Sequence, residues 1–226
     1  SGFIETLQTS AKNDAKAREQ FLKIMQEQAE FMAALIENLL SLSKIELNHD
    51  QRPDETVDVL EIAEDVAASL SQKAAERKIK IKIDFEDNVP EITADKAQIR
   101  QLLQNLTDNA VKYGVSQSEV KIGISKAAAI PLSKSHKVAA GEAVAISVNN
   151  KGTKISPEDL TRLTERFYRM QEHKDLNIRG TGLGLSIAKQ IILRHRGNLT
   201  VTSTSYNGTT FTIYLPVSQE EDITAA

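Results

Sequence analysis

Residues Asp95 to Tyr113 constrain the fold most, because they read as one helix with two chemically opposed faces. At about 100° per residue, Asn105, Asp108, Asn109 and Lys112 share one arc, while Ile99, Leu102, Leu103, Leu106 and Ala110 fall on the other side. The leucine side demands another layer to pack against. The polar side gathers two amides, a carboxylate and an ammonium. Amide oxygens and water suit a hard cation such as Mg²⁺, which keeps much of its hydration and leans on substrate phosphates. A lysine supplies positive charge for those phosphates. A solvated helix face would also produce this pattern, but asparagine is mildly unfavourable inside a helix, which tips the balance toward function.

A second segment, Arg179-Gly180-Thr181-Gly182-Leu183-Gly184-Leu185-Ser186, opens the predicted helix Leu183 to His195. Its alternating glycines let backbone N–H groups approach an anion, and the helix N-terminus adds a favourable dipole. No Gly-Lys-Ser/Thr follows and no strand leads directly in, so it is neither a Walker loop nor a dinucleotide fingerprint. A permissive loop before a helix is the bland alternative. Between the two segments, the predicted strand Ala143 to Val148 runs into Asn149-Asn150-Lys151-Gly152-Thr153-Lys154-Ile155. Ser156 then caps a helix with Pro157 at its first position. Glu165-Arg166-Phe167-Tyr168-Arg169 and a polar stretch from Gln171 to Ile178 follow, the latter reading as a lid over a ligand.

The rest of the chain after Pro53 alternates helix and strand. Val57 to Val59 reads as a short strand and Leu60 to Glu76 as a helix. Lys78 to Phe85 alternates strictly, as a half-buried strand with a lysine face to water. Glu119 to Ile124 is a strand, and Leu199 to Ser203 and Thr209 to Leu215 form a hairpin turned at Asn207-Gly208. Residues 125–141 read as a mobile extension. Before Pro53 the chain is helical: Phe21, Ile24, Gln28, Phe31, Leu35, Asn38, Leu42 and Ile45 recur at spacings of three and four, and Met25, Met32, Ile36 and Leu39 widen the stripe. A dimeric four-helix bundle would bury that stripe; so would packing on the chain's own domain. The expected fold is α+β: a helical hairpin (residues 1–50, half of a dimeric bundle), then a two-layer α/β sandwich with a mixed sheet (51–218), then a disordered tail (219–226).

Composition narrows the classes. The net charge of −3 over 226 residues argues against a nucleic-acid binder. Zero cysteines exclude disulfides and thiolate metal sites. The four histidines, His49, His136, His173 and His195, show no ligand spacing. No run reaches the roughly 20 apolar residues of a membrane span, no signal peptide is visible, and the start lacks an initiator Met, so an excised fragment is expected.

In this order and spacing the segments resemble the catalytic part of bacterial two-component sensor histidine kinases, within the wider family of gyrase, Hsp90 and MutL ATPases. Asn105 to Tyr113 resembles the N box, Val148 to Ile155 the G1 box, Arg166 to Arg169 the F box and Gly180 to Leu185 the G2 box. Residues 1–48 resemble the dimerisation and phosphotransfer hairpin just downstream of its H box, on Phe3-Ile4-Glu5-Thr6-Leu7 and Glu37 to Glu46, most like phosphate-responsive sensor kinases. The resemblance implies ATP and Mg²⁺ as cofactors, with Asn105 and Asn109 on the metal and Lys112 on phosphate. It places Tyr113, Asn150, Gly152 and Ile155 near the nucleotide, and Gly180, Thr181, Gly182, Leu183, Gly184 and Leu185 around the triphosphate. Arg166 and Arg169 reach the phosphates or the phosphoacceptor side. It also implies a homodimer through residues 1–48, a response-regulator partner, and a cytoplasmic catalytic portion of a protein anchored in the bacterial inner membrane through a segment N-terminal to this chain.

Three features depart from the family pattern. Asn150 stands where the family has an adenine-binding aspartate; losing a charge-assisted bond costs about 1–3 kcal/mol. Lys154 replaces a glycine, which would cost about 1–2 kcal/mol if the backbone there needs positive φ. No histidine sits in an H-box context, so this chain does not autophosphorylate by the family mechanism. Two rival expectations stand: a degenerate pocket in a dimeric scaffold for a response regulator, and a gyrase-type ATP hydrolase with Asp108 as base.

Overall fold

The computed structural model describes residues 14–47, 51–131, 142–171 and 180–218. The segment around Phe3, Ile4 and Leu7, residues 132–141 of the expected extension, most of the Gln171 to Ile178 stretch, Arg179, His49, His136, His173 and the tail 219–226 lie outside the described residues.

A long helix, α1 (Ala15–Leu47), begins where the Asp14 carboxylate accepts from the N–H groups of Lys16 and Ala17, both at 3.0 Å. After it come β1 (Glu55–Val57), α2 (Val59–Glu76), β2 (Lys80–Phe85), β3 (Ile92–Ala94) and α3 (Lys96–Tyr113). The chain continues through β4 (Glu119–Ala127), β5 (Ala143–Asn150), α4 (Pro157–Arg162), α5 (Gly184–Arg194), β6 (Asn198–Thr204) and β7 (Gly208–Pro216). Five strands form a mixed sheet in the order β2-β4-β5-β7-β6, with β2 parallel to β4 and the other pairs antiparallel. β1 and β3 make a small antiparallel ribbon.

One sheet face carries Val120, Ile122, Ile124, Val144, Ile146, Val148, Ile213 and Leu215, all buried. Against it lie Ile62 and Val66 of α2, the leucine side of α3 and Ile187 and Ile191 of α5, in one continuous core. The expected two-layer sandwich is therefore the observed one. Burying each of these side chains contributes about 1.5–3 kcal/mol. β2 keeps its alternation, with Lys80 and Lys82 exposed and Ile81 and Ile83 half-buried.

Some boundaries differ from expectation for local reasons. Asp58 is not in a strand: its carboxylate caps α2, accepting from the Leu60 N–H at 2.8 Å. β3 is three residues long, too short to show a period. β4 runs to Ala127 because it pairs with β5 as far as Ala143. Thr204 pairs with Gly208, so the β6–β7 loop holds three residues rather than a two-residue Asn-Gly turn. Gly208 has φ +77°, and a Cβ there would stand 2.1 Å from the Asn150 carbonyl oxygen, so only glycine fits.

The apolar stripe of α1 packs on the chain's own domain. Leu42 and Ile45 are buried and Leu35 packs against the core, with α1 lying along α5. Ser41 bonds Gln101 of α3, and Glu46 pairs with Arg166. Leu22, Met32, Ile36, Leu39 and Leu40 form a second, exposed arc.

Candidate functional site

The site is built where α5 begins over the polar face of α3. The far ends of the same two helices are tied together. Asp95 caps α3 through the Gln98 N–H at 3.0 Å and receives Arg194 Nη1 of α5 at 2.9 Å. The Asp95 N–H donates to His195 Nε2 at 3.0 Å, and His195 Nδ1 lies 2.8 Å from the Ile191 carbonyl. With Nε2 accepting, Nδ1 must carry the hydrogen, so His195 is neutral. Burial pushes its pKa below the ordinary value, against the pull of the Ile191 carbonyl.

At the near end, a Cβ on Gly184 would stand 3.7 Å from Asn105 Oδ1 and one on Gly180 only 2.4 Å from Lys112 Nζ. The loop's glycines therefore leave the space that α3's polar side chains enter. Gly182, with φ +73°, lies against Phe167, whose N–H donates to the Gly182 carbonyl at 2.9 Å. Phe167 itself has φ +63°, a conformation rare outside glycine.

Together these elements wall a cleft of about 860 Å³. Asn105, Asn109, Lys112, Tyr113, Asn150, Gly152, Ile155, Arg169, Gly180, Thr181, Gly182, Gly184 and Leu185 all line it. Two expected residues do not. The Leu183 side chain is wholly buried in the core beneath the loop, because it precedes the apolar face of α5. Arg166 points away, over a smaller hollow beside Tyr168, and pairs with Glu46 of α1. Sequence reading missed Lys73 and Arg77 of α2, Thr209 and Phe211 of β7, and Glu27, Glu30, Phe31 and Ala34 of α1. These reach the cleft only through packing. The phase of α2 was the available signal for Lys73 and Arg77, which continue the three-and-four spacing of its buried Ile62, Val66 and Leu70 and so fall on the face turned toward α3.

The cleft's electrostatics centre on Lys112. Its ammonium forms no hydrogen bond or ion pair with any described residue and sits 5.0 Å from the Tyr113 ring centroid. Burial brings its pKa down to about 8; Asp108 resists, and Arg169 and Lys73 add to the fall. Burial also raises the Tyr113 phenol. Asn105 Nδ2 is buried without a partner among the described residues, and Asp108 is engaged by Lys73. A half-buried cation over a glycine cradle fits a polyphosphate. No cluster of three or more His, Cys, Asp or Glu capable of holding a metal occurs among the described residues. A divalent ion here would rest on amide oxygens, water and phosphate, which fits Mg²⁺.

Asn150 is 6% exposed, and its Nδ2 donates to the Lys151 carbonyl at 3.3 Å. Lys154 is exposed and is not among the residues with positive φ, so the expected strain does not arise.

A two-layer sandwich whose glycine-opened helix faces an Asn/Lys helix defines an ATPase-type nucleotide domain. The chain belongs to the histidine kinase-, DNA gyrase B- and HSP90-like ATPase family, which it matches over residues 94–219. It is 31% identical, over 97% of its length, to the phosphate regulon sensor protein PhoR of Pseudomonas aeruginosa, and spans 46% of that protein. The resemblance to bacterial sensor histidine kinases thus holds, and the chain spans less than half of this relative. The fold matches full-length ShkA in complex with AMPPNP (TM-score 0.69, 23% identity, 88% of this chain and 39% of that one). It also matches histidine kinase ThkA in complex with the response regulator protein TrrA (TM-score 0.70, 20% identity, 96% of this chain and 56% of that one). No helix among the described residues is long and apolar enough to cross a membrane.

Proposed function

We propose that residues 51–218 bind Mg·ATP in this cleft and supply the kinase step of a sensor histidine kinase. The half-buried Lys112 ammonium, which faces Gly180 and is unpaired among the described residues, carries this reading. Lys112 and the backbone N–H groups of the Gly180 to Gly184 loop hold the triphosphate, and Arg169 reaches the same cleft. Asn105 and Asn109 hold the metal through their amide oxygens. Bound Mg²⁺ offsets charge on the transferring phosphoryl group. Tyr113, Gly152, Ile155 and Asn150 enclose the base, and Arg166 acts toward α1. In the intact protein the bond between the β–γ bridging oxygen and the γ-phosphorus breaks, ADP leaves, and a P–N bond forms on a histidine outside this chain. That histidine then passes the group to a response-regulator aspartate.

Residues 1–50 serve as dimerisation and phosphotransfer hairpin, and the exposed arc Leu22, Met32, Ile36, Leu39 and Leu40 supports pairing with a second copy. A further segment anchors the intact protein at the inner membrane, with this portion on the cytoplasmic side. The Asp108–Lys73 pair speaks against Asp108 as the base of a hydrolase. The test is titration calorimetry with AMPPNP and Mg²⁺. Binding that Lys112→Met weakens at least tenfold is expected; no heat at millimolar nucleotide overturns the reading in favour of a scaffold. Light scattering that finds only monomer at high concentration would refute pairing.

A further inference from the structure

The cleft has two chemically distinct ends, and Tyr113 spans them. Its hydroxyl lies 3.8 Å from where a Cβ on Gly180 would stand, and its carbonyl 3.0 Å from the same point on Gly152. The Gly180 end holds the Lys112 ammonium and the opening of α5. The Gly152 end holds Ile155, Phe211 and two buried polar side chains, Asn150 and Thr209. Thr209 shares its hydroxyl with Ser203 at 2.8 Å. Asn150 gives its Nδ2 hydrogen to the Lys151 carbonyl, and its Oδ1 bonds no described residue. A phosphate chain at the cationic end thus puts a flat base against the Asn150 carboxamide.

We infer that Asn150 reads a purine's six-position edge in either polarity, so that the cleft takes 6-oxo as well as 6-amino purine nucleotides. The inference rests on the nucleotide reading proposed above. A 6-amino purine offers an N6–H donor beside the N1 acceptor; a 6-oxo purine offers an O6 acceptor beside an N1–H donor. A carboxamide carries one group of each kind and matches either edge by rotating half a turn. A carboxylate only accepts, and would set an oxygen against O6. As the side chain stands, Oδ1 is available to a base, which favours the 6-amino edge. Rotation forfeits a single long bond of 3.3 Å. The Lys151 carbonyl it abandons stays satisfied, because the Val115 N–H donates to it at 2.9 Å. The cost of switching is therefore at the weak end for a neutral hydrogen bond.

Titration calorimetry of the whole chain with Mg²⁺ and ADP or inosine diphosphate reads this directly, since the two differ only along that edge. We expect ADP to bind tighter by less than about tenfold. Asn150→Asp, of nearly equal volume, should strengthen ADP and reject inosine diphosphate, widening the ratio beyond about a hundredfold. A wild-type ratio above about a hundredfold, or an unchanged ratio in Asn150→Asp, overturns the inference while the nucleotide site stands. No heat with either nucleotide overturns both.

Discussion

Raising the pH from 7 to 9 should weaken nucleotide binding about tenfold through one side chain. Lys112 has a pKa near 8 because the folded chain buries its ammonium; Arg169 and Lys73 push the same way and Asp108 opposes them. At pH 7 about nine in ten of these groups hold their proton, and at pH 9 about one in ten. A bound polyphosphate needs the cation and lifts the pKa back toward its ordinary value. Above pH 8 each binding event must therefore draw a proton from solvent, and affinity falls by up to about tenfold per unit. The ceiling is the span from about 8 to 10.5, a factor of roughly 300. Tyr113 does not compete in this window, since burial raises its phenol.

Calorimetry at pH 7, 8 and 9 in two buffers of different ionisation enthalpy would show the proton uptake itself. Lys112→Met should flatten the profile and lower the pH 7 affinity by about ten- to a hundredfold, the worth of a charge-assisted contact. Equal affinity at pH 7 and 9, or the same slope in Lys112→Met, refutes the reasoning.

Glu27 and Glu30 bring two carboxylates to a cleft lined by Lys73, Arg77 and Arg169; Glu27→Gln with Glu30→Gln should tighten Mg·ADP binding by about two- to tenfold, the scale of two rim charges, as read by calorimetry. Gly182→Ala forces a Cβ to 2.8 Å from the Phe167 backbone at φ +73° and should cost at least about tenfold in nucleotide affinity with the circular dichroism unchanged. His195→Ala should lose about 2–4 kcal/mol of stability in urea denaturation, from a cavity and the Asp95 N–H left unpaired. Because burial depresses the His195 pKa, the unfolded chain takes up the proton first; wild-type stability should be full above about pH 6.5 and fall as the pH drops toward the depressed value, and the variant should lack that acid loss.

The lining of the cleft was legible where it is carried by helix phase and by glycine. Asn105, Asn109 and Lys112 share an arc because their helix has leucines behind it, and Gly180, Gly182 and Gly184 had to admit something close. The Leu183 side chain turns inward to the core while its backbone stays in the glycine loop, and a loop motif does not show which of its side chains does so. Arg166 turns toward α1 because its partner Glu46, 120 positions away in the chain, draws it there, which local sequence does not show. The same limit hid Lys73, Thr209 and Phe211, which arrive through sheet register and helix packing. β3 escaped because three residues carry no period. The stripe from Phe21 to Ile45 was read correctly as an apolar face, but periodicity says that a face is buried and not by what.

That face gives α1 two roles that do not interfere. Its inner arc, ending in Leu42 and Ile45, is held by α5, while Leu22, Met32, Ile36, Leu39 and Leu40 occupy a separate outer arc. A second copy can cover the outer arc without lifting the inner one. The inner arc also carries Asn38, whose Nδ2 meets Thr181 Oγ1 at 3.4 Å, and Glu46, which holds Arg166. These contacts land on the glycine loop and beside Phe167, the segments that must fit around a polyphosphate. The floor of the cleft is fixed differently: Asp95, Arg194 and His195 lock the far ends of α3 and α5 with buried or half-buried bonds. A displacement of α1 would thus be felt at the loop and the cleft mouth before it disturbed the Asn105–Lys112 floor, because one long 3.4 Å contact and one exposed ion pair yield at lower cost than a junction of several shorter bonds.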